Sequence, residues 1–245
     1  MRTVQGCFAG QTRLSKGAIM AAPLLSSRHT IMLRLHYYPS TASFAPHIVL
    51  EELGVPYERV LVDREQNAHK STEYLKLNPN GLIPVLEDGD LVLYETAAIL
   101  LHLADTHADA HLAPPMSSAA RGEFYKWLVW LTNTLQATLM VYFYPERWVS
   151  AGNTGGAAEV KAQAEARVGG LLQQLDAQFS DGRSWLLGET YSAADAMAFM
   201  LCRWTRHFGQ PARSLPQLGP YLQRMLARPA VQRAIANEAL PQPWI

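Results

Sequence analysis

The side chains of this 245-residue sequence that can do chemistry fall into a few groups, and their spacing limits what that chemistry is. Cys7 and Cys202 are too few for a disulfide framework or a four-ligand zinc site, and no C-x-x-C pair exists for dithiol exchange. Cys202 lies in an apolar helical run, where a buried, inert thiol is expected. The eight histidines show no metal-ligand spacing: His107 and His111 are four apart but have no third ligand nearby, so no metal is expected. Glu95 and Thr96 open a predicted helix, whose N-terminal N–H groups and partial positive charge suit an anion, with the carboxylate beside them suiting a cation. Taken alone, that pair reads as plain capping. Ser192 and Asp195 form a capping-box pattern ahead of an apolar helix, which is a structural device.

The elements that must position these residues begin at Met32. Leu33, Leu35 and Tyr37 alternate with Arg34 and His36 as a half-buried strand that stops at Pro39. Ser43 to Gly54 has helical spacing with a glycine stop, Tyr57 to Val62 is a second strand, and Thr72 to Leu77 is a short helix before the turn signal Asn78-Pro79-Asn80-Gly81. Pro84 to Glu87 and Leu91 to Leu93 form a hairpin about Asp88-Gly89-Asp90, and Glu95 to Asp105 closes the region as a helix. The order β-α-β-α-β-β-α requires a mixed sheet. Beyond a linker at 109–118 the pattern is helical: a long helix from 119 to about 150, a glycine-containing loop at 152–156, helices over Ala157 to Phe179 and Ser192 to His207, and two shorter ones over Leu218 to Arg228 and Ala230 to Glu238.

Composition excludes other classes. With 21 Lys plus Arg against 21 Asp plus Glu, no global basic field exists to hold nucleic acid or an anionic bilayer. The sum conceals an uneven distribution. Residues 1–31 contain Arg2, Arg13, Lys16 and Arg28 and no acid, so the remainder carries 17 bases against 21 acids. The apolar run from Gly17 to Leu25 is far below the roughly 20 residues a membrane helix needs, and no membrane partner is expected. Residues 1–31 read as a poorly ordered leader or a mis-assigned start, with weak secretory or organelle-targeting character as the alternative to a cytoplasmic location.

Three ordered segments carry a resemblance: Leu35-His-Tyr-Tyr-Pro-Ser-Thr-Ala-Ser-Phe-Ala-Pro-His-Ile-Val-Leu50, Asn78-Pro-Asn-Gly-Leu-Ile-Pro-Val-Leu86 and Leu93-Tyr-Glu-Thr-Ala-Ala-Ile-Leu100. Together they closely resemble the cytosolic glutathione S-transferases, nearest to the bacterial beta-like members, and the likeness runs through Ser192 to Asp195 and Leu226 to Val231. The resemblance implies a thioredoxin-like glutathione-binding domain at 32–108, an all-helical domain at 119–245, a homodimer, glutathione as co-substrate and a small apolar electrophile as acceptor. Pro84 would be a cis-proline that leaves the N–H and C=O of Ile83 free for glutathione's cysteinyl unit to pair as an added strand. Glu95 and Thr96 would hold the γ-glutamyl ammonium and carboxylate, and His47 either touches the glycyl carboxylate or fills space on the exposed side of its helix.

Activation of the thiol would fall to Ser43 at the start of the first helix or to Tyr37 at the end of the first strand, with Thr41 and Tyr38 as outside candidates. Lowering a thiol pKa from about 8.5 by about 2 units needs some 3 kcal/mol of thiolate stabilisation, within reach of one hydroxyl hydrogen bond and a helix N-terminus. Beta-like members often carry a cysteine where this chain has Ala42, so thiol transfer through a mixed disulfide at that position is not expected. Tyr142, Tyr144, Trp148 and His207 are candidate walls of the electrophile pocket. Two rivals stand beside conjugation: a non-catalytic glutathione-binding or protein-interaction member of the fold, and a glutathione-dependent isomerase, dehalogenase or peroxidase.

Overall fold

The computed structural model describes residues 32–245, so the expected leader at 1–31, with Cys7, lies outside the described residues. Four strands and three helices come first: β1 (Leu33–Tyr37), α1 (Phe44–Leu53), β2 (Tyr57–Leu61), α2 (Thr72–Leu77), β3 (Val85–Asp88), β4 (Leu91–Tyr94) and α3 (Thr96–Thr106). The sheet order is β2-β1-β3-β4, with β1 parallel to β2 and antiparallel to β3, and β3 antiparallel to β4. This is the thioredoxin-like mixed sheet the element order required. Its functional consequence is topological: the ends of β1, β2 and β4 and the start of β3 all fall on one edge.

Strand β1 departs from simple alternation, because His36 is buried along with Leu33 and Leu35. The reason is a partner that lies 51 positions away: Nε2 of His36 is 2.5 Å from Oε1 of Glu87 on β3. A polar residue on the second face of a strand is buried at low cost when it is hydrogen-bonded.

The remaining helices are α4 (Ala119–Trp130), α5 (Ala137–Phe143), α6 (Thr154–Ala177), α7 (Ala193–Trp204), α8 (Leu218–Leu226) and α9 (Pro229–Asn237). The single helix expected to about residue 150 stops at Phe143, since Pro145 cannot continue it, and a π-helical stretch at Leu131–Gln136 interrupts it. The expected loop at 152–156 is also shorter than foreseen. Asn153 caps α6 by accepting from the Gly156 amide at 2.9 Å, which draws both Gly155 and Gly156 into the helix.

Every residue of α7 is buried, as its apolar sequence implies. The capping box at Ser192 and Asp195 starts it. The Asp195 carboxylate accepts from the amides of Leu186 and Ser192 at 2.9 Å each and from the Tyr221 hydroxyl at 3.2 Å. Burial nevertheless pushes its pKa up to about 6, against the lowering effect of those donors. Phe44 of α1 packs on Phe199 of α7, so one continuous hydrophobic core joins the sheet to the helices. Cys202 is a buried free thiol whose pKa burial pushes up to about 12, which fits an inert role. No helix of the described residues is long and apolar enough to cross a membrane.

Candidate functional site

The strand edge gathers the sequence-predicted residues from three directions. The Ile83–Pro84 peptide is cis, and the Ile83 backbone makes no hydrogen bond among the described residues. The preceding turn is held by side chains: Asn78 Nδ2 and the Tyr74 hydroxyl both donate to the Leu82 carbonyl, at 2.9 and 2.8 Å. Gly81 has φ +59, and a Cβ there would lie 2.8 Å from the His69 carbonyl, so this turn needs glycine for both conformation and space.

On one side of Ile83 stands the start of α3. Its N-cap is Glu95 rather than Thr96, one residue earlier than the capping role foreseen for Thr96, and no side chain among the described residues caps the helix. Glu95 is exposed and adopts φ 74, ψ 115, an uncommon backbone for a non-glycine residue and the sort of local strain that concentrates at ligand sites. Thr96 is buried, and its hydroxyl donates to the Ala42 carbonyl at 3.2 Å. That bond fixes the α3 N-terminus against the β1–α1 loop.

On the other side stands that loop. Ser43 is the N-cap of α1, yet it is fully buried at 0% exposure. Its hydroxyl donates to the Tyr38 carbonyl at 3.1 Å and lies 3.0 Å from the Thr41 hydroxyl, which itself donates to the Tyr38 carbonyl at 2.7 Å. Thr41 is only partly buried and forms the outer member of the pair. Tyr37 is carried to a different place: its ring lies edge-on to His47 at 6.1 Å, with the Arg59 guanidinium 5.6 Å from the ring centre. Tyr38 points its hydroxyl at Glu65 at 3.2 Å; burial and that carboxylate raise its pKa.

His47 is the expectation that the structure corrects most clearly. Instead of lining an exposed helix face it has 0% exposure, and its Nδ1 is 2.8 Å from Oε1 of Glu238 at the end of α9. The second oxygen of Glu238 accepts from the Ser40 amide at 2.9 Å, and Ser40 has φ 64. Buried Arg203 donates to the Ser40 hydroxyl at 2.7 Å. Desolvation lowers the Arg203 pKa to about 10. Nothing local in the sequence marks Ser40, Arg203 and Glu238, which meet across up to 198 positions.

The four candidate electrophile contacts divide. Tyr144 reaches the strand edge, where its hydroxyl accepts from Arg64 at 3.2 Å. Tyr142 stacks on Phe208 with ring centres 4.2 Å apart, and Lys161 of α6 lies 4.9 Å from its ring. Trp148 is 64% exposed and His207 is exposed. Neither has a hydrogen bond to the strand edge among the described residues. No cluster of three metal-ligating side chains occurs among the described residues.

Comparison with known proteins agrees with this architecture. Residues 33–105 match the glutathione S-transferase N-terminal domain and residues 131–229 the glutathione S-transferase C-terminal domain. The glutathione S-transferase GST-4.5 of Xanthomonas campestris pv. campestris is 32% identical over 208 residues, covering 85% of this chain and all of that protein. A glutathione transferase homologue from Sulfitobacter, solved with bound glutathione, superposes with a TM-score of 0.78 at 27% identity over 86% of this chain and all of that one. The beta-class glutathione S-transferase of Sphingomonas chungbukensis superposes at 0.73 with 30% identity over 85% and 100% of the two chains. With two family domains in order and a relative matched along its whole length, this chain belongs to the glutathione S-transferase family.

Proposed function

We propose that this protein binds glutathione along the strand edge and conjugates its thiolate to a small apolar electrophile. The observation that carries the reading is the juxtaposition of the unpaired Ile83 backbone with the uncapped start of α3 at Glu95 and Thr96. An extended peptide can pair with Ile83 as an added strand, while its γ-glutamyl carboxylate meets the α3 amides and its ammonium meets the Glu95 carboxylate.

The thiol then falls beside the β1–α1 loop. The Thr41 and Ser43 hydroxyls are the groups there, with the α1 N-terminus behind them. Thr41 is the outer hydroxyl, so in this reading it meets the sulfur and Ser43 holds Thr41 in place; hydroxyl hydrogens rotate to suit a new acceptor. Tyr37 is directed toward His47 and Arg59 and serves the packing of α1 instead. In the reaction the sulfur–carbon bond forms as the bond to the electrophile's leaving group breaks, and the thiol proton goes to solvent. A homodimer and a cytoplasmic location accompany this reading as family expectations.

One observation favours a second reading. Both hydroxyls of the loop, Thr41 and the fully buried Ser43, already donate to the Tyr38 carbonyl, which suits a protein that binds glutathione without turning it over. Conjugation assays on the protein, Thr41→Val and Ser43→Ala separate the two. Turnover that falls at least tenfold in Thr41→Val supports conjugation; glutathione binding with no turnover of any electrophile supports the second reading.

A further inference from the structure

We infer that the acceptor site selects electrophiles carrying a carboxylate or sulfonate, through a pair of guanidinium groups that bracket Tyr144. This inference rests on the proposed conjugation and names its substrate class. Arg64 lies on the loop after β2, and its Nη2 donates to the Tyr144 hydroxyl at 3.2 Å while its guanidinium lies 5.9 Å from the centre of the Tyr38 ring. Arg147 stands on the turn after α5, with its guanidinium 4.0 Å from the centre of the Tyr144 ring. One tyrosine thus holds two cations at the place where the strand edge faces the end of α5.

The neighbouring acids do not neutralise that pair. Asp63 accepts from the amides of Glu65 and Gln66, and Glu65 accepts from the Tyr38 hydroxyl. Glu146, next to Arg147, makes no ion pair, and neither guanidinium is in an ion pair among the described residues, where the other close arginine–carboxylate contacts lie elsewhere. A guanidinium that rests beside an aromatic ring, with no carboxylate paired to it, keeps N–H groups for a further partner, and a planar carboxylate or a sulfonate fits that fork. Exposed Phe143 and Trp148 on the same segment supply apolar surface for the body of the acceptor.

The test compares chlorodinitrobenzene with chlorodinitrobenzoate, which share a reacting carbon and differ in charge. The wild-type protein is expected to favour the benzoate in kcat/KM. The benzoate-to-benzene ratio is expected to fall about tenfold in Arg64→Gln and in Arg147→Gln, the loss that one charge-assisted contact implies. A ratio that is the same in wild type and both variants overturns the inference. So does a rise in the glutathione KM with an unchanged ratio, which would give the guanidinium groups to glutathione's own carboxylate. A calorimetric titration of chlorodinitrobenzoate alone reads the same contacts without turnover: weaker binding by both variants supports the pair even if the conjugation reading fails, and equal binding rejects it. Arg64→Lys, which keeps the charge and loses the fork, is expected to fall between wild type and Arg64→Gln.

Discussion

Nδ1 of His47 and Oε1 of Glu238 meet 2.8 Å apart at the buried junction of α1 and the end of α9, although they are 191 positions apart in sequence. Because the other oxygen of Glu238 accepts from the Ser40 amide, one carboxylate joins the chain's last helix to the loop that carries Thr41 and Ser43. Removing it would orphan a buried imidazole and a backbone N–H together. Glu238→Ala is expected to cost about 3 kcal/mol in urea unfolding, with Glu238→Gln costing less. A cost below about 1 kcal/mol for Glu238→Ala would show that the junction is not held by this pair.

The hydroxyl of Thr96 ties the start of α3 to the β1–α1 loop through the Ala42 carbonyl, and so holds together the two walls of the proposed glutathione site. Thr96→Val keeps the shape and deletes the donor. The glutathione KM is expected to rise about fivefold, as the loss of one neutral hydrogen bond implies, with kcat changed less; Thr96→Ser is expected to restore it. Steady-state kinetics with varied glutathione checks both.

Gly81 is the one residue in the turn before Ile83 that no side chain can replace without movement, given its φ of +59 and the His69 carbonyl at 2.8 Å from a Cβ. Gly81→Ala is expected to lose about 1–3 kcal/mol of stability and to weaken glutathione binding in the same protein, since the turn sets where the Ile83 backbone lies. Chemical denaturation and a glutathione titration measure the two losses.

Asp195 gives the protein a pH dependence with a definite sign. Its folded-state pKa is raised to about 6 by burial, from an ordinary value of 3.8, so the folded chain takes up this proton more readily than the unfolded chain. The group's contribution is fully present below about pH 4 and is lost as pH rises through about 6, by about 3 kcal/mol. Asp195→Asn does not titrate. The stability of wild type relative to Asp195→Asn is therefore expected to decline across that window, and a flat difference would contradict it.

Much of the architecture was legible because it is written in local patterns. Alternation found β1, helical spacing with Gly54 found α1, and Ser192 with Asp195 marked the start of α7. The backbone there follows what the family resemblance implied: Pro84 is cis, and Ile83 is unpaired among the described residues. What failed was anything decided by distant partners. His47 has helical spacing either way, and only Glu238 determines that it is buried. Ser43 sits where a helix-start hydroxyl belongs; that it turns inward to the nearby Tyr38 carbonyl and leaves Thr41 outermost depends on the loop's local geometry, which no residue pattern spells out. Arg64 carried no signal at all, since its contact with Tyr144 lies 80 positions on.

The proposed glutathione site is formed by the Ile83 backbone and the Glu95–Thr96 helix start. Calorimetric titration of the protein with glutathione, and in parallel with the cysteinylglycine dipeptide that lacks the γ-glutamyl group, separates the contributions of its two parts. Saturable glutathione binding at millimolar or lower concentration, with the dipeptide at least tenfold weaker, is predicted. No binding of glutathione at millimolar concentration, or equal binding of the dipeptide, would contradict it.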